Sequence, residues 1–93
     1  MPGEVKRVQV VEVGPRDGLQ NDPTLLDVET RIEFITRLAQ TGLSRIEAVS
    51  FVHDKRVPAM AGAEAVMASI PRKPGVSYTA LALNPRGFER ALA

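Results

Sequence analysis

The sequence contains no cysteine and a single histidine, His53. The lack of cysteine excludes disulfide bonds, thiolate metal ligands and a cysteine nucleophile within these residues, and one histidine cannot build a zinc site alone. Lys and Arg number 12 against 11 Asp and Glu, which gives a formal charge of +1 without any basic block. Because phosphate binding needs a concentrated excess of positive charge, we expect neither nucleic acid nor a membrane surface as partner.

Long apolar runs are also missing, since none approaches the roughly 18 residues that a membrane span requires. The first residues lack the charged and apolar regions of a secretory signal, so the cytoplasm is the expected location. With 93 residues, 44% of them hydrophobic, the chain is long enough for one domain with a modest core. It is too short for a complete large enzyme barrel.

Apolar, β-prone segments alternate along the chain with segments of helical periodicity. The predicted strands are residues 8–13, 45–51 and 76–83. The predicted helices start at Val28 after a capping Asp27 and stop at Gly42, run over residues 58–70, and begin again at residues 88–93. This β-α-β-α-β-α order predicts an α/β fold in which βαβ crossovers place the strands in parallel.

Charged side chains follow the first predicted strand, where Arg16 and Asp17 lie in a Gly-Pro-Arg-Asp-Gly segment. In doubly wound sheets and in (β/α)₈ barrels the reactive groups gather at the carboxyl ends of the strands, which suits a functional cation-anion pair. A solvated turn is the alternative, because Pro-Arg-Asp-Gly is also an ordinary turn composition.

Glu47 is placed between Ile46 and Ala48 in a strand that we expect to be covered on both faces. An unpaired buried carboxylate costs several kcal/mol, so Glu47 needs a partner, and Arg16 is the obvious candidate. Glu12 raises the same question in the first strand. For both glutamates a purely structural ion pair is the competing interpretation.

Residues 11–20 read Val-Glu-Val-Gly-Pro-Arg-Asp-Gly-Leu-Gln, and Asn21 follows. Further positions of the same pattern are Gly42, Leu43, Ile46, Glu47, Ser50, Phe51, Val52, Lys55, Val57, Pro58 and Met60. With these residues the chain resembles the amino-terminal part of hydroxymethylglutaryl-CoA lyases. Related synthases and carboxyltransferases of the same barrel superfamily usually have Thr-Leu-Arg-Asp-Gly instead, so the segment indicates the lyase branch.

The resemblance implies a (β/α)₈ TIM barrel of about 300 residues. Residues 1–93 would then be the amino-terminal portion of a single barrel domain and would form its first three βα units, with parallel strands. The implied reaction is the cleavage of an acyl-CoA substrate, 3-hydroxy-3-methylglutaryl-CoA, to acetyl-CoA and acetoacetate with Mg²⁺ or Mn²⁺. The remaining metal ligands of the family, two histidines and an asparagine, and a glycine-rich loop with a cysteine belong to later strands. We therefore expect the 93 residues alone to be inactive.

The resemblance also implies roles for individual residues. Asp17 would be a metal ligand, and Arg16 would stabilise the enolate-like charge that develops during cleavage. Glu47 would be catalytically important by orienting Arg16. Gln20 is a candidate for a place beside the metal. Ser50 is a further candidate, close to the substrate.

Asn84 follows the third predicted strand and could reach the site, but a role as helix cap or turn residue fits equally well. Where the family commonly has Ser-Pro-Lys, a variable residue and Val-Pro-Gln, residues 53–59 read His-Asp-Lys-Arg-Val-Pro-Ala. A different 3-hydroxyacyl-CoA is therefore an alternative substrate. His53 has no visible partner and is more often exposed than catalytic at such a position. Met60 and Met67 are predicted to pack against the sheet.

A second alternative is a non-catalytic module that buries its open sheet edges by self-association. The chain ends on apolar residues within the last predicted helix, residues 88–93, which favours a truncated chain over such a module. In either case the open edges predict a homo-oligomer.

Overall fold

The computed structural model describes residues 8–93, which form an α/β fold around two parallel strands. The helices and strands are α1 Val28–Ala39, β1 Arg45–Ser50, α2 Ala63–Ser69, β2 Ser77–Leu81 and α3 Pro85–Leu92. One turn of π-helix, Gly14–Gly18, precedes α1, and one 3₁₀ turn, Pro58–Met60, precedes α2. Within residues 8–93, none of the helices is long and apolar enough to cross a membrane.

Helix α1 begins and ends near the predicted positions because its capping signals are local in the sequence. The Asp27 side chain accepts a hydrogen bond of 2.7 Å from the Thr30 backbone amide, and Gly42 has a positive φ of 93° just beyond the helix. The buried side of α1 carries Ile35 and Ala39, which face the sheet. This confirms the predicted amphipathic helix.

Strand β1 lies at the centre of the core. Its residues Ile46, Ala48 and Val49 have no exposed surface, whereas Arg45 and Glu47 are half-buried. The core joins α1, β1 and α2, and its buried members are Ile35, Ala39, Ile46, Ala48, Val49, Phe51, Ala63, Val66 and Ile70. The parallel register is interrupted between Glu47 and Val49, where β1 has an irregularity opposite β2.

Arg31 is the large charged side chain that this core encloses, with 2% of its surface exposed. Its Nη1 donates a hydrogen bond of 2.6 Å to the Ala61 carbonyl, which ties α1 to the segment before α2. Burial lowers the pKa of Arg31, although the charge of Asp54 acts in the opposite direction. Sequence analysis did not predict this burial, because a charged side chain is expected on the exposed face of a helix, although Arg31 lies three residues after Val28 and four before Ile35.

The first predicted strand, residues 8–13, is reduced to one parallel bridge between Glu12 and Ile46. The Glu12 amide donates to the Arg45 carbonyl at 3.1 Å, and the Glu47 amide donates to the Glu12 carbonyl at 2.9 Å. Val8 is 74% exposed and Val10 62%, so the apolar pattern of this segment lacks the covering that a buried strand needs. The prediction of three complete βα units is therefore not confirmed.

The second predicted helix, residues 58–70, is also shorter than expected. The 3₁₀ turn is separated from α2 by Gly62, whose positive φ of 76° interrupts a continuous helix. A Cβ at Gly62 would lie 2.9 Å from the Val28 side chain, so the position requires glycine for space as well. Met60 is fully buried, and Met67 packs against the core as predicted.

Candidate functional site

The turn Gly14–Gly18 places Arg16 and Asp17 directly after the residue that bridges to β1. The Glu12 carboxylate accepts a hydrogen bond of 2.9 Å from the Gly14 amide, which answers the question of its partner. A Cβ at Gly14 would lie 3.0 Å from that same carboxylate oxygen. Glu12 thus has a structural role at the start of the turn.

Arg16 and Glu47 form the ion pair that the sequence predicts. Arg16 Nε donates to Glu47 Oε1, and the two side chains are 20% and 21% exposed. The bridge between Glu12 and Ile46 brings the turn alongside β1 and so brings these side chains together. In this partly shielded position the carboxylate fixes the guanidinium by a charge-assisted hydrogen bond.

Asp17 is more exposed than its neighbour, with 54% of its side chain accessible. Its Oδ1 lies 3.4 Å from Arg16 Nη1 and 3.2 Å from Asn21 Nδ2. Asn21 also donates to the Asp17 backbone carbonyl at 2.9 Å. Asn21 therefore steadies the carboxylate, a role that sequence analysis missed although its position four residues after Asp17 offered a signal.

The side chains of Asp17 and Gln20, close to Arg16 in the sequence, carry oxygen atoms, which are the ligands that a hard divalent cation prefers. Asp17 offers an accessible carboxylate, and Gln20 has a buried Oε1 that accepts no hydrogen bond from the described part of the chain. Residues 8–93 nevertheless contain no group of three His, Cys, Asp or Glu side chains that could hold a metal ion. The further ligands of such a site would have to come from outside this part of the chain.

Ser50 ends β1 and is completely buried, and its hydroxyl has no hydrogen-bond partner among residues 8–93. Asn84 follows β2, and its Oδ1 accepts a hydrogen bond of 2.8 Å from the Gly87 amide at the start of α3. Asn84 is therefore the cap of α3, one of the two roles that the sequence left open. Ser50 has no such structural role.

An open cleft of about 600 Å³ lies where the chain leaves β1 and β2. It is lined by Phe51, Val52, His53, Asp54, Lys55, Arg56, Asn84, Arg86, Gly87 and Arg90. His53 is exposed and its Nδ1 accepts a hydrogen bond of 3.2 Å from the Lys55 amide, so it is engaged in its own loop. The positively charged lining was not predicted, because it combines residues from two distant segments.

Comparison with known proteins identifies relatives of this chain, although no family model matches it. The hydroxymethylglutaryl-CoA lyase of Bacillus subtilis is 52% identical over 87 residues, which cover 94% of this chain and 29% of that protein. A crystal structure of the lyase from this organism superposes with a TM-score of 0.89 at 51% identity, covering 95% of this chain and 30% of the other. The chain matches the amino-terminal part of hydroxymethylglutaryl-CoA lyases.

Two further hydroxymethylglutaryl-CoA lyases show the range of the relatives. A Pseudomonas aeruginosa protein named 3-hydroxy-3-isohexenylglutaryl-CoA/hydroxymethylglutaryl-CoA lyase is 52% identical over 87 residues, covering 94% of this chain and 29% of its own. An Acinetobacter baumannii lyase, solved in complex with coenzyme A and 3-methylmalate, gives a TM-score of 0.86 at 42% identity, covering 90% of this chain and 28% of its own. The chain thus spans less than a third of the length of these proteins.

Proposed function

We propose that this chain contributes to the metal-dependent cleavage of 3-hydroxy-3-methylglutaryl-CoA to acetyl-CoA and acetoacetate, within a lyase of the relatives' length. The observation that carries the proposal is the Arg16–Glu47 pair beside Asp17, in a chain that is 52% identical to a hydroxymethylglutaryl-CoA lyase. An acyl-CoA would be the substrate. Mg²⁺ or Mn²⁺ would be the cofactor, since both prefer oxygen ligands.

The proposed reaction is a retro-Claisen cleavage. A base removes the proton of the substrate hydroxyl, that oxygen becomes the ketone of acetoacetate, and the carbon-carbon bond breaks with its electron pair passing to an acyl-CoA enolate. The enolate carbon then takes up a proton to give acetyl-CoA. Arg16 would stabilise the negative charge on the enolate oxygen, because a guanidinium donates directed hydrogen bonds and stays charged. Glu47 occupies Arg16 Nε and Asp17 Oδ1 lies 3.4 Å from Nη1, which leaves Nη2 to donate to the substrate.

Asp17 would hold the divalent cation, with Gln20 beside it. When bound, the cation would polarise the substrate's oxygen atoms and lower the cost of the developing charge. Asn21 would keep the Asp17 carboxylate oriented through its hydrogen bond of 3.2 Å. Because residues 8–93 supply no complete ligand set, we expect the 93 residues on their own to lack lyase activity.

A different 3-hydroxyacyl-CoA is the second candidate substrate. Residues 53–56 line the cleft and differ in polarity from the common family pattern. The Pseudomonas aeruginosa relative is named for 3-hydroxy-3-isohexenylglutaryl-CoA as well as for hydroxymethylglutaryl-CoA, which supports this candidate. Relatives are named as cytoplasmic in mouse and mitochondrial in rat, so a cytoplasmic location for this chain stays a prediction, as does a homo-oligomer.

The test uses the polypeptide that carries this sequence in the cell, whose intact mass is measured first. We expect it to form acetoacetate from 3-hydroxy-3-methylglutaryl-CoA with Mg²⁺ or Mn²⁺. The variant Arg16→Met should lose turnover by roughly a thousandfold, with a smaller effect on KM. The control Arg37→Met removes an exposed arginine whose ion-pair partner among residues 8–93 is Glu33, and it should keep full turnover. Near-normal turnover of the Arg16 variant would remove its proposed role.

A further inference from the structure

Arg90 makes the densest set of polar contacts of any side chain in the described part of the molecule. It lies on α3, and its side chain is 23% exposed. Its Nε and Nη2 bind the two carboxylate oxygens of Glu64 on α2 at 2.6 and 2.7 Å. This two-point geometry is the strong form of a carboxylate-guanidinium pair.

The same guanidinium holds the chain where it leaves β1. Arg90 Nη1 donates to the Val52 carbonyl at 2.7 Å, and Nη2 donates to Asp54 Oδ1 at 3.2 Å. The guanidinium carbon also lies 5.6 Å from the centre of the Phe51 ring, within cation-π range. One side chain thus joins α2, α3 and the loop after β1.

Gly87 lies one helical turn before Arg90 and closes the same contact. A Cβ at Gly87 would lie 2.5 Å from the Phe51 carbonyl oxygen, so α3 approaches the loop as closely as a glycine allows. Two contacts therefore hold helix α3 against this loop. One is the close approach of Gly87 to the Phe51 carbonyl, and the other is the set of hydrogen bonds that the Arg90 guanidinium donates. Both contacts lie at the wall of the open cleft.

The loop continues directly into Lys55 and Arg56, which line the cleft with Arg86. Among the described residues, these three have no ion-pair partner, so the position of the loop decides where the charges of Lys55 and Arg56 lie relative to Arg86 on α3. We propose that Arg90 is a positioning residue that fixes residues 51–54 against α3 and thereby sets the width and charge geometry of the cleft. The effect of this position on substrate binding rests on the proposed lyase function.

The first test measures hydrogen exchange in the polypeptide that carries this sequence. The amides of Arg56 and Val57 donate to the His53 carbonyl at 3.0 and 2.9 Å, so they report on the loop. In Arg90→Gln we expect their exchange to rise by about tenfold, whereas Ile46 in β1 keeps its protection. The control Arg72→Gln also removes a guanidinium that lies over an aromatic ring and binds a backbone carbonyl, and it should leave the loop unchanged.

The double variant Glu64→Arg with Arg90→Glu distinguishes two roles of Arg90. One is to position residues 51–54, and the other is only to link α2 to α3. The double variant restores an ion pair between the helices but places a carboxylate against the Val52 carbonyl and Asp54. We expect this double variant to recover thermal stability without recovering loop protection. If the loop is protected again in the double variant, or stays protected in Arg90→Gln, the positioning role is wrong. Should Arg90→Gln fail to fold, Asp54→Asn makes the same comparison, because it weakens the contact of Arg90 with the loop and leaves the Glu64 pair in place.

Kinetics then connect the loop to the proposed reaction. In Arg90→Gln we expect KM for the acyl-CoA to rise by about tenfold while kcat stays within about twofold, because the reacting groups are untouched. A fall in kcat of about tenfold with KM unchanged contradicts the role in substrate binding. If the unaltered polypeptide has no lyase activity, the proposed function fails, and the exchange measurements still decide whether Arg90 positions the loop.

Discussion

Glu47 in the middle of β1 receives a hydrogen bond from Arg16, which belongs to the turn before α1. The two side chains are about one-fifth exposed, so they are shielded more than an ordinary surface pair. Removal of either partner from such a position leaves a partly desolvated charge without compensation. The pair therefore connects the turn before α1 to β1. In the proposed reaction, it also orients the Arg16 guanidinium towards the substrate.

Glu47→Gln tests this second role. The amide keeps the size of the side chain but weakens its hold on Arg16, so we expect turnover to fall by roughly 10- to 100-fold with little change in KM. The free energy of unfolding should fall by about 1 kcal/mol. Steady-state kinetics and urea unfolding measure the two effects. Glu33→Gln, at the exposed partner of Arg37, is the control, and equal effects in both variants would contradict the proposal.

Asp17→Asn should weaken the binding of Mn²⁺ by at least about tenfold, because an amide oxygen carries no net charge to attract the cation. The measurement is a titration of the polypeptide followed by electron paramagnetic resonance of free Mn²⁺. Asp22→Asn is the matched control, since Asp22 lies in the same exposed segment and its Oδ1 accepts a hydrogen bond of 2.8 Å from the Thr24 amide. Unchanged affinity in the Asp17 variant means that Asp17 is not a ligand.

Ser50→Ala removes a buried hydroxyl that has no partner in the structure. A buried polar group without a hydrogen bond costs free energy, so the variant should be as stable as the original or up to about 1 kcal/mol more stable. If the hydroxyl serves the substrate, the same variant should bind the acyl-CoA more weakly. Thermal unfolding and substrate titration together decide this, and a clear loss of stability would show that Ser50 has a structural partner.

Gly87→Ala is expected to destabilise the fold by about 1–3 kcal/mol, the usual cost of overpacking. The reason is the short distance of 2.5 Å between the added Cβ and the Phe51 carbonyl oxygen. Gly18→Ala serves as the control, because nothing lies within 4 Å of a Cβ at that position. Equal unfolding midpoints for the two variants would show that α3 can move away from the loop at no cost.

The Glu64–Arg90 pair predicts a dependence of stability on acid. Its hydrogen bonds to Arg90 lower the pKa of Glu64 from 4.5 to about 2. A carboxylate with a lowered pKa in the folded state stabilises the fold above its ordinary pKa, and this contribution is lost as the pH falls from about 4.5 to about 2. Glu64→Gln should remove this part of the acid dependence, so unfolding curves of the two proteins should converge towards pH 2. Because Glu64 is half-exposed, the difference should shrink in high salt.

Local signals account for the parts of the fold that were predicted well. The Asp27 cap and Gly42 define α1 through contacts within a few residues, and the strand propensity of residues 45–51 coincides with β1, in which Ile46, Ala48, Val49 and Ser50 are buried. Residues 8–13 have an equally apolar pattern but remain largely exposed, because a strand also needs neighbours that the pattern cannot supply. The same limit applies to residues 58–70, where the backbone angle of Gly62 overrides helical periodicity.

The candidate site divides along similar lines. The pairing of Arg16 with Glu47 could be predicted, because a carboxylate within an apolar strand needs a cationic partner and Arg16 follows the neighbouring predicted strand. The role of Arg90 could not, because its partners Val52 and Glu64 lie far from it in sequence and meet it only after both helices have docked. Whether Asp17, Gln20 and Ser50 act as predicted stays a prediction, to be decided by the measurements above.

The order of pairing along the sheet has a consequence for how the chain acquires its structure. Glu12 pairs with Ile46, and Arg45 with Ser77, so both connections close loops of more than 30 residues and no hairpin offers a shorter route. Local helix formation takes about a microsecond or less, whereas such distant pairings must first overcome the entropy of loop closure. On the ribosome, β1 therefore emerges well before β2 and must wait for it, with its apolar residues unprotected during that interval. The emergence of Tyr78, the partner of Ile46 on β2, is therefore the earliest point at which this edge of β1 can be paired.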